Sequence, residues 1–250
     1  MFHVKHFPEN ALRKHLQWVL HTTRTLNLTT ITNPEEAWQR HVLDSCAAGK
    51  LVAEAPSGAL LDMGSGAGYP GVPLGLLSGR ETLCVDSVQK KAHALEAFLR
   101  SDPEFSHITS TGQRLEEIAR NLGNSEQDSN YFTTDSSDPW YAVVVARALA
   151  GLPSLVELAS PLLQPGGHAL FFKGQLTVEE REAGRAAAQI CGLTEDVLES
   201  YALEDLSDGP QTPVQATPAR TRTIVRYIKT HEPRVALPRR NGVAQKRPYR

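Results

Sequence analysis

The sequence predicts an α/β protein built on a doubly wound, mostly parallel sheet of seven strands. From Ala59 onward, short apolar segments alternate with segments of helical periodicity, and this order is typical of a parallel sheet with helices on both faces. Before residue 55 the pattern predicts only helices. The last two strands have no clear helix between them, so we expect them to form an antiparallel hairpin at one edge of the sheet.

The N-terminal extension is predicted to be helical. Apolar residues follow Pro8 at helical spacing, which indicates an amphipathic helix over about Glu9–Asn27. Asn33 can cap a second helix, because Pro34 suits the first helical position and two acids follow it. The predicted domains are residues 1–55 for this extension, 56–230 for the α/β domain and 231–250 for a basic C-terminal tail.

The α/β region contains seven expected strands and five expected helices. The strands are Ala59–Met63, Thr82–Asp86, His107–Ser110, Tyr141–Ala146, His168–Lys173, Val197–Ala202 and Thr221–Ile228. The helices are Pro70–Leu77, Val88–Arg100, Leu115–Asn121, Leu152–Leu163 and Val178–Cys191. Residues 123–139 are rich in Ser, Asp, Asn and Thr and contain no basic residue, so we expect an exposed insertion there.

Composition excludes several classes of protein. The longest purely apolar run, Trp140–Ala146, has seven residues, whereas a membrane helix needs about 20. The first residues lack the pattern of a secretory signal. Three cysteines stand far apart without a CxxC pair, so neither a disulfide framework nor a metal site is expected. A soluble, cytoplasmic protein is therefore the expectation.

Charge is distributed unevenly along the chain. The net charge is −2, but residues 211–250 carry +9 and residues 51–210 carry −13. This asymmetry favours an acidic body that meets a polyanion through its termini, with a solvated tail that binds nothing as the alternative.

The most informative segment is a glycine-rich stretch, LLDMGSGAGYPG, at residues 60–71. Its glycines allow a sharp turn and a close approach of backbone N–H groups to a ligand, and the helix that follows offers its positive end. Asp86 closes the next strand, where a carboxylate can accept both hydroxyls of a ribose. The residues singled out in this region are Asp62, Gly64, Gly66, Gly68 and Asp86.

Two cofactors compete for this loop. Residues 66–71 match GxGxxG, which favours a dinucleotide. However, the strand is predicted to end at Met63, and counting from Gly64 places the third dinucleotide glycine at Tyr69, which is too bulky for close packing. Asp62 has no task beside a pyrophosphate, but it could accept the ammonium group of S-adenosylmethionine. These points favour S-adenosylmethionine, and a glycine turn without a ligand is the third interpretation.

The absence of certain motifs limits which atoms could accept the methyl group. Enzymes that methylate exocyclic amines usually carry (D/N)PP(Y/F) after the fourth strand, whereas here that strand ends with Ala146 and Arg147. Each cysteine is expected to be a packing residue, which disfavours the covalent chemistry of cytosine C5 enzymes. A ring nitrogen such as guanine N7 needs neither a cysteine nor a base, so in-line positioning against the sulfonium methyl would suffice.

Several motifs together resemble the bacterial 16S ribosomal RNA guanine-N7 methyltransferases, the family also called glucose-inhibited division protein B. Each motif is modest alone, but RHVLDS before DxGSGxGxPGxP, with a PRR…KRP ending, is very specific. The motifs are NLT (27–29), RHVLDS (40–45), DMGSGAGYPGVP (62–73), VDS (85–87) followed by two lysines, RLEE (114–117), RA (147–148), KG (173–174) and PRRNGVAQKRP (238–248).

The resemblance implies a class I S-adenosylmethionine-dependent methyltransferase fold and methyl transfer to N7 of a guanine in the 530 loop of 16S rRNA, in the small ribosomal subunit. The sequence departs from the family only at Tyr69, where an aliphatic residue or Phe is common, and in the 123–139 insertion. By motif matching, the implied cofactor contacts are Gly64, Tyr69, Leu115, Glu116 and Arg147, with Asp86 and Ser87 at the ribose.

The remaining candidates concern RNA and the alternatives. No catalytic residue is assigned, since the mechanism is positioning; Arg147 is the candidate. His41 and Asp44 are expected to tie the extension to the body as a helical pair. Other interpretations are a methyltransferase with another acceptor or a non-catalytic rRNA-binding assembly factor, and the basic tail could instead be a strap packed on the body. The predicted RNA contacts are Lys173, Arg239, Arg240, Lys246 and Arg247.

Overall fold

The fold is described by a computed structural model covering residues 7–123, 140–203 and 220–249. Within these ranges a seven-stranded sheet has the order β3-β2-β1-β4-β5-β7-β6. Strands β1 to β5 are parallel, and β7 lies antiparallel between β5 and β6, which confirms the expected sheet and edge hairpin. The strands are β1 Leu60–Met63, β2 Thr82–Val85, β3 Ile108–Thr111, β4 Tyr141–Arg147, β5 Leu163–Lys173, β6 Leu193–Leu203 and β7 Arg220–Lys229.

The predicted helices are present with shifted ends, whereas α4 and α10 were not predicted. The helix expected over 152–163 ends at Ala159, and a 3₁₀ turn containing Pro161 leads directly into β5. Asn33 caps the second helix by accepting from the backbone N–H groups of Glu35 and Glu36, at 2.9 and 3.0 Å. The helices are α1 Glu9–Leu26, α2 Pro34–Ala37, α3 Asp44–Cys46, α4 Gly49–Ala53, α5 Gly71–Ser78, α6 Gln89–Arg100, α7 Leu115–Gly123, α8 Leu152–Ala159, α9 Val178–Cys191 and α10 Val243–Lys246.

A π-helical turn, Trp38–Leu43, joins α2 to α3 and was not expected from the sequence. Such wide turns are frequent at functional sites. It carries His41 and ends immediately before Asp44, and both residues line the cleft described below.

The N-terminal extension packs against the glycine loop. Leu12, Leu16 and Val19 of α1 form one buried cluster with Trp38, Val42, Ala67 and Tyr69. Separate apolar clusters fill the two faces of the sheet. The extension therefore supports the cleft rather than lying apart from it, and burial of these side chains is the main stabilising term.

Other predictions fall partly outside the described residues. The 123–139 insertion lies outside them except for Gly123, the last residue of α7. The 231–250 segment is described as far as Tyr249 and includes one helical turn, α10. In the three described ranges, no helix is both long and apolar enough to cross a bilayer.

Candidate functional site

A cleft of about 540 Å³ opens at the carboxyl ends of β1, β2 and β4. Its volume is within the range of about 300–1,000 Å³ that small-molecule sites occupy. The ends of these strands lie side by side, because Met63 pairs with both Val85 and Ala146 in the sheet. The predicted residues that line the cleft are Gly64, Gly66, Tyr69, Asp86, Ser87, Leu115, Glu116 and Arg147.

Gly64, Gly66 and Gly68 all have positive φ, but they differ in what surrounds them. A Cβ on Gly64 would lie 2.7 Å from Leu149, and one on Gly68 would lie 2.7 Å from Val72. Gly66 is the exception, since its Cβ would meet nothing nearer than an Asp86 oxygen at 3.9 Å. Gly66 thus faces open space where a ligand can approach the backbone, whereas Gly68 turns away from the cleft.

The Asp86 carboxylate is held at the mouth of the cleft by two backbone groups. Its Oδ2 accepts from the N–H of Gly66 at 2.9 Å, and its Oδ1 accepts from the N–H of Val88 at 2.8 Å. Each oxygen can accept further bonds. The carboxylate is therefore oriented in advance for a ligand that offers hydroxyl donors.

Asp62 lies behind the glycine loop and not in the cleft. Its side chain is fully buried, and Oδ2 accepts from the N–H of Gly71, the first residue of α5, at 2.8 Å. Burial raises the pKa of this carboxyl to about 7. This placement does not support the predicted contact with the cofactor; Asp62 instead fixes the start of α5 against β1.

Arg147 closes the opposite end of the cleft. Its Nη1 donates to Asp44 Oδ2 at 2.7 Å and to the carbonyl of Arg40 at 3.2 Å, and its guanidinium lies 5.5 Å from the Tyr69 ring centre. Asp44 Oδ1 in turn accepts from the Tyr201 hydroxyl at 2.7 Å. Asp44 thus ties the extension to β4 and β6, while its partner is Arg147 rather than His41.

Three rings pack against one another beside the loop. Tyr69 lies 4.7 Å from His15 and 5.1 Å from His41, measured between ring centres. Burial lowers the pKa of both histidines to about 4, and the neighbouring Arg147 adds to this effect at His41. Both imidazoles are therefore neutral at pH 7, and His41 Nε2 shares a hydrogen bond with the Thr29 hydroxyl at 2.7 Å.

Arg222 and Gln245 also line the cleft, although the sequence did not single them out as site residues. Arg222 Nε is 4.0 Å from Asp44 Oδ1. The predicted antiparallel direction of the last strand could have indicated Arg222. Because β7 runs antiparallel to β5, its first residues lie beside Lys173 at the carboxyl end of β5, where the cleft opens. Gln245 lies within the PRRNGVAQKRP motif, but nothing in the sequence indicated that its side chain lines the cleft.

The predicted RNA contacts differ in whether their side chains are paired with acids or exposed to solvent. Lys173 pairs with Glu180 at 2.7 Å and is mostly buried, and Arg239 pairs with the buried Glu157, so neither placement supports an RNA contact. Three others, Arg240, Lys246 and Arg247, have exposed side chains.

The cysteines lie away from the cleft lining. Burial raises the pKa of the Cys46 and Cys191 thiols to about 12, and it raises that of Cys84 well above its ordinary value. A thiolate nucleophile is therefore disfavoured at all three positions.

Comparison with known proteins places the chain in a family. Residues 8–206 match the family model described as rRNA small subunit methyltransferase G. The protein of that name from Nostoc sp. is 32% identical over 189 residues, 73% of this chain and 71% of its own length. The one from Rubrobacter xylanophilus is 30% identical over 268 residues, covering 100% of this chain and 94% of that protein.

A solved structure supports the fold alone. The putative sarcosine dimethylglycine methyltransferase from Galdieria sulphuraria is 14% identical and covers 80% of this chain and 89% of its own, with a TM-score of 0.50. The sequence match extends over most of the chain and includes the glycine loop, Asp86 and Arg147. The chain belongs to the rRNA small subunit methyltransferase G family.

Proposed function

We propose that this protein transfers a methyl group from S-adenosylmethionine to N7 of a guanine in the 530 loop of 16S rRNA. The observation that carries the proposal is the cleft itself. On its wall, the backbone N–H of Gly66 donates to the Asp86 carboxylate at 2.9 Å, so a glycine with free space above it lies beside an oriented carboxylate. Family membership supplies the substrate class, since the relatives are named as rRNA small subunit methyltransferases.

The residues of the cleft fit S-adenosylmethionine. Asp86 would accept the ribose hydroxyls, and Gly66 leaves room for the backbone to approach the cofactor. Leu115, at the start of α7 beyond β3, would lie beside the adenine, and Arg147 would lie toward the methionine end. When bound, the cofactor supplies an electrophilic methyl group on a sulfonium.

The chain's own residues suit an acceptor that carries no proton. His41 is neutral at pH 7, but its Nε2 is already bonded to Thr29, and the cysteine thiols are protonated. Guanine N7 presents an in-plane lone pair, so the protein has only to bind and align the two reactants. Arg222, whose side chain is 31% exposed, supplies positive charge at the end of the cleft where an RNA phosphate would approach.

The test is methylation of small ribosomal subunits taken from a strain that lacks the modification. We expect transfer of a labelled methyl group from S-adenosylmethionine, and chain cleavage specific for N7-methylguanine should map it to the 530 loop. Gly66→Val, which places a side chain in the open part of the loop, is the matched inactive control. A methyl group at another atom or site would contradict the proposal, and cofactor binding without transfer would favour the assembly-factor interpretation.

A further inference from the structure

The C-terminal segment, residues 238–249, packs against the body beside the cleft. Arg239 donates through Nε and Nη2 to both carboxylate oxygens of Glu157, whose side chain is 2% exposed. Arg239 Nη2 also donates to the carbonyl of Arg247 at 2.7 Å, and its guanidinium lies 4.2 Å from the Tyr249 ring centre. One side chain therefore both anchors this segment to α8 and closes it on itself.

Helix α7 provides a second anchor. Glu116, predicted to contact the cofactor, accepts from the N–H of Gly242 at 2.7 Å. Asn241 donates to Glu117 at 2.9 Å and accepts from Arg120 at 2.7 Å. These bonds set the position at which the helical turn α10 begins.

The two anchors fix the orientation of α10. Ala244 is 3% exposed and belongs to the apolar cluster that contains residues of α7 and α8. The next two residues, Gln245 and Lys246, are both exposed, but only Gln245 lines the cleft, together with Leu115 and Glu116. A polar side chain from the far end of the chain thus completes the wall of the cleft next to the start of α7.

We propose that Gln245 is a specificity residue that reads the adenine ring of S-adenosylmethionine. A glutamine amide offers both a donor and an acceptor, and adenine presents the complementary pair at N6 and a neighbouring ring nitrogen. The position of Gln245 fits this role. Along the strand order β3-β2-β1-β4, Leu115 follows β3, Asp86 follows β2 and Arg147 ends β4. If Asp86 binds the ribose and Arg147 lies toward the methionine, the adenine lies beside Leu115 and Gln245. The inference rests on the proposed function, since it assumes that this cofactor occupies the cleft.

The test is calorimetric titration of the full chain with two ligands and no RNA. One ligand is S-adenosylhomocysteine, and the other is its analogue with N6,N6-dimethyladenine, whose amino nitrogen has no hydrogen to donate and whose methyl groups keep an amide away from the neighbouring ring nitrogen. We expect Gln245→Ala to weaken binding of the adenine ligand by about 3–10-fold, the loss of one neutral hydrogen bond. Binding of the dimethylated ligand should change little, so the preference for adenine should shrink.

Lys246→Ala is the matched control, because it truncates the exposed neighbour on the same turn and should leave both affinities unchanged. Gln245→Ala with the affinity and the preference of the wild type would overturn the inference and leave the proposed function standing. Equal weakening of both ligands would also overturn it, since the segment would then support the cleft without reading adenine. Failure of the wild-type protein to bind S-adenosylhomocysteine would overturn the inference and the proposed function together.

Discussion

Arg239→Ala removes the only charged partner that the described residues give to a buried carboxylate. The Glu157 side chain is 2% exposed and accepts two charge-assisted bonds from this one guanidinium, which is itself 23% exposed. Loss of one partner from a buried pair costs about 3–5 kcal/mol, because the other charge is left uncompensated. Partial access of water to Arg239 reduces this, so we expect a loss of about 2–4 kcal/mol in the free energy of unfolding.

Thermal and chemical denaturation measure this loss. For a chain of this size, about 2–4 kcal/mol corresponds to a decrease in Tm of about 5–15 °C. Arg240→Ala is the matched control, since it removes the same charge from the adjacent exposed residue, and it should leave Tm unchanged. In Arg239→Leu combined with Glu157→Leu, most of the stability should return, because no unpaired charge remains buried.

The two arginines should also separate in RNA binding. Each phosphate contact contributes about 0.7–0.9 to the slope of log affinity against log salt. Arg240→Ala should flatten this slope by about that amount, and Arg239→Ala should not. An Arg239→Ala variant with the Tm of the wild type and a flattened salt slope would refute the reasoning, since Arg239 would then bind RNA and not Glu157.

Three further outcomes are expected. Asp86→Ala should weaken S-adenosylmethionine binding by about 1–3 kcal/mol in calorimetry, through loss of charge-assisted bonds to ribose, and an unchanged affinity in a folded variant would contradict the ribose assignment. His41→Ala should slow methyl transfer far less than the 10²–10⁴-fold typical of a general base, and a loss of that size at unchanged cofactor and RNA affinity would point to an acceptor that carries a proton. His15, whose pKa is lowered to about 4 by burial, remains neutral in the folded state while the unfolded state takes up a proton below pH 6.5. The free energy of unfolding of the wild type should therefore fall by up to about 3 kcal/mol as the pH decreases from 6.5 to 4, because only the unfolded state gains a proton at this residue. His15→Gln lacks this titration, so the difference in unfolding free energy between wild type and variant should shrink over the same pH range. A difference that stays constant with pH would contradict the prediction.

The sheet could be predicted because its signals are local. Short apolar runs bounded by Gly, Pro and Asp fix β1, β2 and β4, and the acids that follow such runs mark the functional edge. Asp86 and Gly66 were both identified in this way, and they are hydrogen-bonded to each other at 2.9 Å on one wall of the cleft.

Which way a strand-end acid points is less easily predicted. Successive side chains of a strand face opposite sides of the sheet, so an error of one residue in the assumed register moves an acid from the ligand side to the core. Asp62 illustrates this: it precedes Met63, the last residue of β1, and lies under α5 with its Oδ2 on the N–H of Gly71. Its residue type and its position after an apolar run gave no indication of this burial.

Pairings between distant residues could not be predicted from local patterns. Arg147 and Asp44 are 103 positions apart, and Arg239 and Glu157 are 82 apart. The sequence analysis named Arg147 as a cofactor contact and Arg239 as an RNA contact, but the partner of each depends on how helices and strands pack. The same limit explains the missing signal at Gln245, whose location follows from the two anchors of the C-terminal segment and not from its neighbours in sequence.

The basic residues of the chain fall into two groups, those paired with acids of the body and those exposed on the C-terminal segment. Arg226 pairs with Glu54 and Asp196, and Arg239 pairs with Glu157, so these cations neutralise acids of the body and hold the fold together. Arg240, Lys246 and Arg247 instead place their charge at the surface. Lys246 directly follows Gln245 on one helical turn, so an exposed positive charge lies one residue from the lining of the cleft. Contact between that turn and RNA would act on a wall of the cofactor site, and the two ligands are therefore expected to influence each other's affinity through this segment.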